Sequence, residues 1–290
     1  MNNSFKMSKG FIFTFSAAAC WAISILLTKF IVKSGDNSYN IVFWETLLAL
    51  PFWAFLFYRQ KGEIKKLEPK DYRLLLYIGL INTLLVSLVE IFALQYTQAI
   101  NYSFLIRSSL LFTILFAYLF LGEKISRKKI IIVISLLVGI YFISTNGHII
   151  KFSAGDLLTL LEASLISFGN TILGKIATKR MSSNLSASGS FLAGFFPVIL
   201  LGVVTHSISF PVSFWLILLL AISTIAGAYL RFKAYKVASA SYIAMIYSFT
   251  PVLVVFAAVP LLREKLGIIQ IIGGILVIAA GIFTEKLKID

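Results

Sequence analysis

The stretch AYLFLGEK at residues 117–124 returns 141 positions later as AVPLLREK at residues 258–265. The same shift lays one half of the chain over the other without a gap. Identical residues then coincide along the overlap, among them Leu75 with Leu216, Thr83 with Thr224, Ala93 with Ala234 and Phe142 with Phe283. A repeat of this length predicts two halves with the same arrangement of elements, at residues 1–148 and 149–290.

The composition indicates a membrane protein. Hydrophobic residues make up 59% of the chain, charged residues only 13%, and the mean hydropathy is +0.93. A soluble domain carries roughly 25% charged residues, so this chain has too few to cover a soluble surface. The formal net charge of +14 does not indicate nucleic-acid binding, because basic residues between spans are expected on the cytoplasmic side of a membrane.

Ten apolar runs predict ten transmembrane helices. Each run approaches the roughly 20 residues that a helix needs to cross hydrocarbon, and charged residues or Pro, Gly and Ser separate them. They lie at about 9–30, 40–58, 73–95, 99–121 and 129–146, then at about 155–176, 185–205, 213–235, 240–262 and 267–284. The sequence therefore predicts an all-α polytopic membrane protein built from two five-helix repeats.

The distribution of basic residues predicts the orientation. With the N-terminus in the cytoplasm, 20 Lys and Arg residues fall on the inner side and 5 on the outer side, with Arg107 inside a span. This asymmetry predicts that both termini are cytoplasmic, in the inner (cytoplasmic) membrane of the cell. Because five spans per repeat is an odd number, the two repeats must cross the membrane in opposite directions.

Each half closes with a Glu-Lys turn followed by a glycine-bearing last helix. The residues concerned are Ala99-Ile100-Asn101, Gly122-Glu123-Lys124 and Gly139, then Ala240-Ser241-Tyr242, Pro251, Glu264-Lys265, Gly273-Gly274 and Gly281. This pattern resembles the drug/metabolite transporter superfamily, in particular its EamA-domain family. The resemblance implies transport of a small solute, in a family that carries amino acids, drugs, nucleotide-linked sugars and other metabolites. Phe43-Trp44-Glu45 departs from it, since an arginine often opens the second span, so no particular substrate carries over.

Four charged residues fall inside predicted spans, where each costs about 2.5 kcal/mol or more. Glu45, Glu90, Arg107 and Glu162 all lie at a similar predicted height in the outer half of the membrane. One interpretation is a structural bridge between Arg107 and a glutamate. A second interpretation is that these residues bind the substrate or exchange protons. A third, to which we give less weight, is that their side chains face lipid and extend to the membrane surface.

The transport interpretation gives these residues and their neighbours distinct roles. Arg107 can hold a carboxylate through two parallel hydrogen bonds, and an acid can receive an ammonium group. Asn170 lies on a small, polar helix face, and aromatic side chains can form cavity walls. The candidate substrate-binding residues are Arg107, Glu90, Glu45, Glu162, Asn170, Trp21, Tyr247 and Phe104. The candidate gating residues are Arg231, near the inner end of the eighth span, and Pro251, which should kink the ninth span.

The sequence lacks the motifs that several kinds of chemistry require. The single cysteine, Cys20, rules out a disulfide within the chain, and no paired His/Asp ligands, nucleophile elbow, Walker loop or dinucleotide fingerprint is present. We therefore expect no cofactor, no metal and no enzymatic activity. Transport would draw on a substrate or ion gradient, with proton coupling left open.

The sequence favours a secondary transporter that moves a small polar metabolite by alternating access. Three acids against one arginine favour an amino acid, an amine or another zwitterion over a multiply anionic compound. The alternatives are a multidrug or nucleoside/nucleotide-type exporter of the same fold, a membrane enzyme acting on lipid, and a non-transporting receptor. The expected partners are the small-molecule substrate and the lipid bilayer, and the protein could be a monomer or a homodimer.

Overall fold

The computed structural model describes residues 8–96, 105–145, 147, 149, 153–206, 208–254 and 267–286, which are helical and contain no β-strand. The helices of the first half are α1 (Lys9–Lys33), α2 (Ser38–Tyr58), α3 (69–96), α4 (Ile106–Leu121) and α5 (Arg127–Thr145). Those of the second half are α6 (Ala154–Arg180), α7 (Ser183–Val204), α8 (Phe214–Val237), α9 (Ala240–Val254) and α10 (Ile268–Lys286). A one-turn helix, Lys61–Ile64, lies between α2 and α3.

Short polar side chains begin several of these helices. The Asn37 side chain accepts a hydrogen bond at the start of α2, and Ser182 and Ser239 do the same for α7 and α9. At the start of α6 the Asp156 carboxylate accepts a hydrogen bond from the backbone nitrogen of Ser153. Because the first N–H groups of a helix have no partner within it, these side chains satisfy donors that would otherwise lose water without compensation.

Five helices of the described chain are long and apolar enough to cross a membrane, as judged by length and composition. They are α1, α2, α6, α7 and α8, and α4, α9 and α10 are shorter apolar helices. The two others, α3 and α5, begin with charged turns that contain Lys70 and Arg73 in one case and Arg127 to Lys129 in the other. The protein is thus an all-α, multi-pass membrane protein.

The helices pack in a pattern that relates the two halves. Helix α1 packs along α8, and α3 packs along α6. Helices α2, α4 and α5 each pack against the helix five positions later, namely α7, α9 and α10. Exchanging the first five helices with the last five maps this set of pairs onto itself, so the packing follows the 141-residue repeat.

Glycines allow α5 and α10, and likewise α3 and α7, to touch through their backbones. A Cβ atom built on Gly139 of α5 would lie 2.8 Å from the carbonyl oxygen of Gly273 in α10. A Cβ atom on Gly79 of α3 would lie 2.6 Å from the backbone nitrogen of Gly194 in α7. Small residues at such crossings let helices approach closely in lipid, where little hydrophobic force drives helices together.

Irregular turns interrupt some of the predicted spans. Residues Leu80–Val86 of α3 and Ile166–Leu173 of α6 form π-helical turns that contact each other, and Ala117–Leu121 ends α4 in the same way. The apolar pattern does not predict these turns. Helix α9 is interrupted at Ser248 and Phe249, close to the proline at which the sequence predicts a kink.

Candidate functional site

Arg107 lies above an aromatic pair that joins two halves of the chain. It occupies a buried turn at the start of α4, and its guanidinium carbon is 5.0 Å from the centre of the Trp21 ring of α1. Trp21 in turn lies 5.8 Å from the Tyr247 ring of α9, tilted by 50°. A guanidinium over a tryptophan face is a favourable cation–π arrangement, which orients Arg107 without neutralising its charge.

Arg231 approaches the same aromatic pair from α8. Its guanidinium lies close to the Tyr247 hydroxyl, and its charge also acts on Tyr235. The Nε atom of Arg231 is buried and has no hydrogen-bond partner among the described residues. The chain of contacts from Arg107 through Trp21 and Tyr247 thus ends at a second arginine, which retains a donor for a further group.

Glu45 and Glu90 form an acidic group beside another part of α8. The Glu45 carboxyl of α2 lies close to the Thr224 side chain of α8, and its charge interacts with that of Glu90 in α3. Two carboxyl groups within electrostatic reach of each other repel when both are ionised. A bound cation or a shared proton relieves this repulsion, so the pair suits a ligand that carries positive charge.

One face of α8 connects the acidic and basic groups. Thr224 and Arg231 are seven residues apart, which is close to two helical turns and places both on the same face. Seven residues correspond to about 10 Å along the helix axis. The acidic pair and the second arginine therefore lie about two turns apart along a single helix surface.

Glu162 is a buried residue of α6, the helix that packs against the segments carrying Glu90 and Arg107. Only 1% of its surface is exposed, although it lies on a long apolar helix. The segment Ala154–Leu165 packs against Ser87–Tyr96, which carries Glu90, and against Ile106–Ser108, which carries Arg107. The elements that bear these three charged residues are therefore packed together in the structure.

Asn170 lies in the crossing of the two π-helical turns. Gly169 allows this contact, since a Cβ atom there would come within 2.4 Å of Ile81 and 2.8 Å of Asn82. The side-chain oxygens of Asn82 and Asn170 are both buried, and neither has a hydrogen-bond partner among the described residues. A buried acceptor without a donor costs about 1–3 kcal/mol, so a donor supplied by a ligand or by water would stabilise this crossing.

Pro251 lies just after the interruption of α9. Proline has no N–H group to donate to the carbonyl of Tyr247 four residues earlier, and the Thr250 hydroxyl donates to that carbonyl instead, at 2.7 Å. The break therefore falls directly after Tyr247, which contacts both Trp21 and Arg231. The remaining candidate, Phe104, lies outside the described residues.

Three residues next to these groups escaped sequence reasoning. Thr224 and Asn82 are small polar residues within apolar runs, a weak signal that occurs at many positions. Glu123 belongs to the Glu-Lys turn noted above, and its carboxylate accepts hydrogen bonds from the backbone nitrogens of Ala240 at 2.7 Å and Ser241 at 3.1 Å. The turn of the first half thus caps a helix of the second half, a contact that periodicity does not reveal.

The described residues contain no group of three or more His, Cys, Asp or Glu side chains placed to hold a metal ion. The candidate site consists instead of two arginines, an aromatic pair and an acidic pair. Such a set binds by charge, hydrogen bonding and stacking. It is suited to a polar organic ligand with groups of both signs.

Comparison with known proteins identifies the family. The profile of the EamA-like transporter family matches residues 8–145 and 153–284. An uncharacterized transporter of Archaeoglobus fulgidus is 27% identical over 280 residues, covering 92% of this chain and 94% of that protein. The uncharacterized transporter YcbK of Bacillus subtilis is 23% identical over 305 residues, covering 98% and 95%. A solved crystal structure shares the fold, with a TM-score of 0.77 and 15% identity over 97% of this chain and 98% of its own. Since the profile spans nearly the whole sequence, the chain belongs to the EamA-like transporter family.

Proposed function

We propose that this membrane transporter is a secondary carrier of a small zwitterionic or cationic metabolite, with amino acids and related amines as its substrate class. The observation that carries the proposal is the placement of opposite charges around α8. Glu45 and Glu90 lie at the level of Thr224, whereas Arg231 lies about two turns away on the same face, next to Tyr247 and Trp21.

The chemistry of binding follows from these groups. The guanidinium groups of Arg107 and Arg231 can hold a carboxylate through paired hydrogen bonds. The acidic pair attracts an ammonium group, which relieves the repulsion between Glu45 and Glu90. The unpaired oxygens of Asn82 and Asn170 add acceptors for further N–H or O–H groups. No resident cofactor is needed, because binding and release draw on the gradient of the substrate, of protons or of another ion.

The architecture that we propose has ten membrane crossings in two inverted repeats, 1–148 and 149–290, with both termini in the cytoplasm. Two observations support it. The family profile matches the chain as two successive segments, and the helix pairs map onto themselves when the halves are exchanged. The excess of Lys and Arg on one side of the ten spans supports the orientation and the inner membrane as the location.

Alternating access then requires the two halves to rock about the site. The interruption of α9 before Pro251 provides a bend directly beside Tyr247, and the Glu123 cap ties the start of α9 to the first half. Opening on that side would break the cap, while Arg231 would change its contact with Tyr247. These two contacts are the gate elements of the proposal.

A second candidate substrate is a planar aromatic compound, such as a nucleoside or a drug. The tilted pair of Trp21 and Tyr247 supports it, since two large rings can wall a flat solute. An aromatic substrate would depend more on Trp21 than on the acidic pair. The two candidates therefore differ in which substitution abolishes flux.

The test is solute flux into proteoliposomes, with a panel of amino acids, amines, nucleosides and planar drugs. We expect saturable flux of an amino acid or amine, reduced at least tenfold by Arg107→Ala, since hydrogen bonds to charged groups contribute about 1.5–3 kcal/mol. Arg127→Ala, an exposed arginine at the start of α5, is the matched control and should leave flux unchanged. Flux of none of these compounds, or full flux in Arg107→Ala, would contradict the proposal.

A further inference from the structure

An apolar groove of about 520 Å³ runs along the outside of the helices, away from the charged groups described above. It is formed where α2, α3 and α7 meet, and its lining includes Phe57, Tyr72, Leu76, Leu192, Phe196 and Pro197. Tyr72, Leu76 and Phe196 are exposed, so the groove opens to the surroundings of the helices rather than to their interior. At these positions in a membrane protein the surroundings are lipid.

The crossing of α3 and α7 explains why a groove forms there. Gly79 and Gly194 bring the two backbones into contact, and Gly189 lets Leu75 pack closely against α7. The lining of the groove on the α7 side includes the small residues Gly189 and Ala193. Pro197 removes one backbone hydrogen bond of α7 beside the groove, where a proline can bend the helix.

A basic segment lies at one end of this groove. The Tyr72 hydroxyl donates to the carbonyl oxygen of Ile64 at 3.3 Å, and Ile64 packs with Phe57 and Leu75. The groove therefore continues directly into the stretch from Arg59 to Arg73, which contains six Lys and Arg residues and three acids.

The carboxylates of the three acids in this stretch already have partners within the protein. Glu63 accepts from the backbone nitrogen of Ser182 at 2.6 Å, Glu68 lies 2.5 Å from Lys70, and Asp71 lies 2.5 Å from Arg180. Lys65 and Lys66 are exposed, and neither is within 4.0 Å of a carboxylate in the described part of the chain. Two ammonium groups are thus available at the mouth of an apolar groove.

We propose that this groove is a binding site for an anionic phospholipid. One acyl chain lies along Leu76, Leu192 and Phe196, and the phosphate lies beside Lys65 and Lys66. Both requirements of such a lipid, an apolar channel in the membrane and uncompensated positive charge at its surface, meet at this place. Basic residues next to a membrane favour anionic lipids, and adjacent lysines act together on one headgroup. The site is separate from the solute site, so it does not depend on the proposed substrate.

The experiment measures lipid retention by native mass spectrometry. Purified protein is exposed to mixed micelles that contain equal amounts of dioleoylphosphatidylglycerol and dioleoylphosphatidylcholine. We expect the unmodified protein to retain one phosphatidylglycerol molecule, with a preference on the order of tenfold over phosphatidylcholine. Equal retention of the two lipids, or retention of neither, would overturn the proposal.

Matched variants separate the groove from the rest of the surface. Leu192→Trp fills the groove and should abolish retention, whereas Leu200→Trp adds the same bulk to an exposed position of α7 outside it and should not. Lys65→Gln with Lys66→Gln should remove the preference for phosphatidylglycerol, whereas Arg127→Gln with Lys128→Gln removes two exposed charges elsewhere and should preserve it. A dimer lost in Leu192→Trp, with no lipid retained by the unmodified protein, would show instead that a second copy covers the groove.

Discussion

The α1–α8 and α3–α6 crossings each join the two halves, and exchanging the halves maps one crossing onto the other. The two crossings nevertheless differ in their backbone geometry and polar contacts. Helices α1 and α8 are regular throughout, and the Ser223 hydroxyl of α8 donates to the Cys20 carbonyl of α1 at 2.8 Å. Helices α3 and α6 both form π-helical turns where they meet, and the oxygens of Asn82 and Asn170 are buried there without partners. The repeat thus preserves which helices pack together, whereas the polar groups and the backbone regularity differ.

This difference suggests that the α1–α8 crossing supports the fold, whereas the α3–α6 crossing belongs to the working surface, meaning the surface that moves or contacts the ligand. At the α1–α8 crossing the Ser223 hydroxyl has an acceptor on the neighbouring helix. The α3–α6 crossing contains unsatisfied acceptors and widened turns, features that occur often at functional sites. We propose mobility or ligand contact for the α3–α6 crossing and a supporting role for the contact of Ser223 with Cys20, although the same two helices, α1 and α8, also carry Trp21 and Arg231 of the candidate site.

The largest contrast in stability should come from adding one methyl group to each crossing. In Gly169→Ala the new Cβ atom would lie 2.4 Å from Ile81, whereas in Gly227→Ala it would lie 3.2 Å from the Cβ atom of Cys20. We expect Gly169→Ala to destabilise the protein by about 1–3 kcal/mol, because overpacking forces neighbours to move. Gly227→Ala should be close to neutral, because the gain in helix propensity offsets a mild contact.

Thermal unfolding in detergent measures this contrast. Gly274→Ala is the control, since its Cβ atom would meet nothing within 4 Å. It should be neutral or slightly stabilising. Equal melting temperatures for Gly169→Ala and Gly227→Ala would remove the distinction between the two crossings.

Removing the unpaired acceptor should affect transport more than stability. In Asn170→Leu the buried oxygen is lost, so stability should hold or rise, because this oxygen accepts no hydrogen bond from the described residues. Solute flux should fall about tenfold if a substrate donor uses this oxygen, equivalent to about 1.4 kcal/mol. Flux assays and melting curves on one preparation check both parts, and unchanged flux would assign Asn170 to packing alone.

Removing a polar group at the α1–α8 crossing should affect stability more than transport. Ser223→Ala removes the hydroxyl that donates to the Cys20 carbonyl, and we expect a loss of stability of about 1 kcal/mol. Flux per folded molecule should stay the same. A variant that keeps its melting temperature and loses transport would place the α1–α8 crossing in the working surface as well.

The smallest effect concerns the ion pair that ties the ends of α3 and α6. Asp71 precedes the predicted span 73–95, and the hydrogen bond from Arg180 lowers the pKa of the Asp71 carboxyl below its ordinary value. A lowered pKa in the folded state means that the contribution is complete above the ordinary value, near 3.9, and is lost as the pH falls through the lowered one. Asp71→Asn should therefore destabilise the protein at neutral pH, by less than about 1 kcal/mol because the pair is partly exposed.

Melting temperatures between pH 3 and pH 7 check this prediction. The curves of the unmodified protein and of Asp71→Asn should differ at neutral pH and converge in acid. Arg180→Gln should produce the same convergence. A gap that widens as the pH falls would contradict the assigned sign.

Much of the helical framework was predictable, because it depends on local composition and on the repeat. The described residues form helices at all ten predicted positions, and Pro251 marks the break in α9. The resemblance to EamA transporters is confirmed by the family profile. The π-helical turns were not predictable, because they depend on the fit of α3 against α6 rather than on either segment alone.

The sequence was less informative about the site, because contacts between distant residues carry no local signal. It singled out charged residues within apolar runs, because each is costly in lipid. It did not show that Arg231 contacts Tyr247 or that Thr224 contacts Glu45, because each pair lies on different helices. The roles of these residues in binding and gating stay predictions.

The measurement that tests the central claim most directly is cysteine accessibility, made simple because Cys20 is the only native cysteine. In a Cys20→Ser background, Asn170→Cys and Thr224→Cys report on the space between the halves, and Leu219→Cys and Ile222→Cys report on exposed, lipid-facing positions of α8. We predict that a charged, membrane-impermeant thiol reagent modifies the first two and spares the last two, with substrate slowing the reaction. Labelling of only the lipid-facing pair, or of none of the four in folded protein, would contradict a water-accessible site between the two halves.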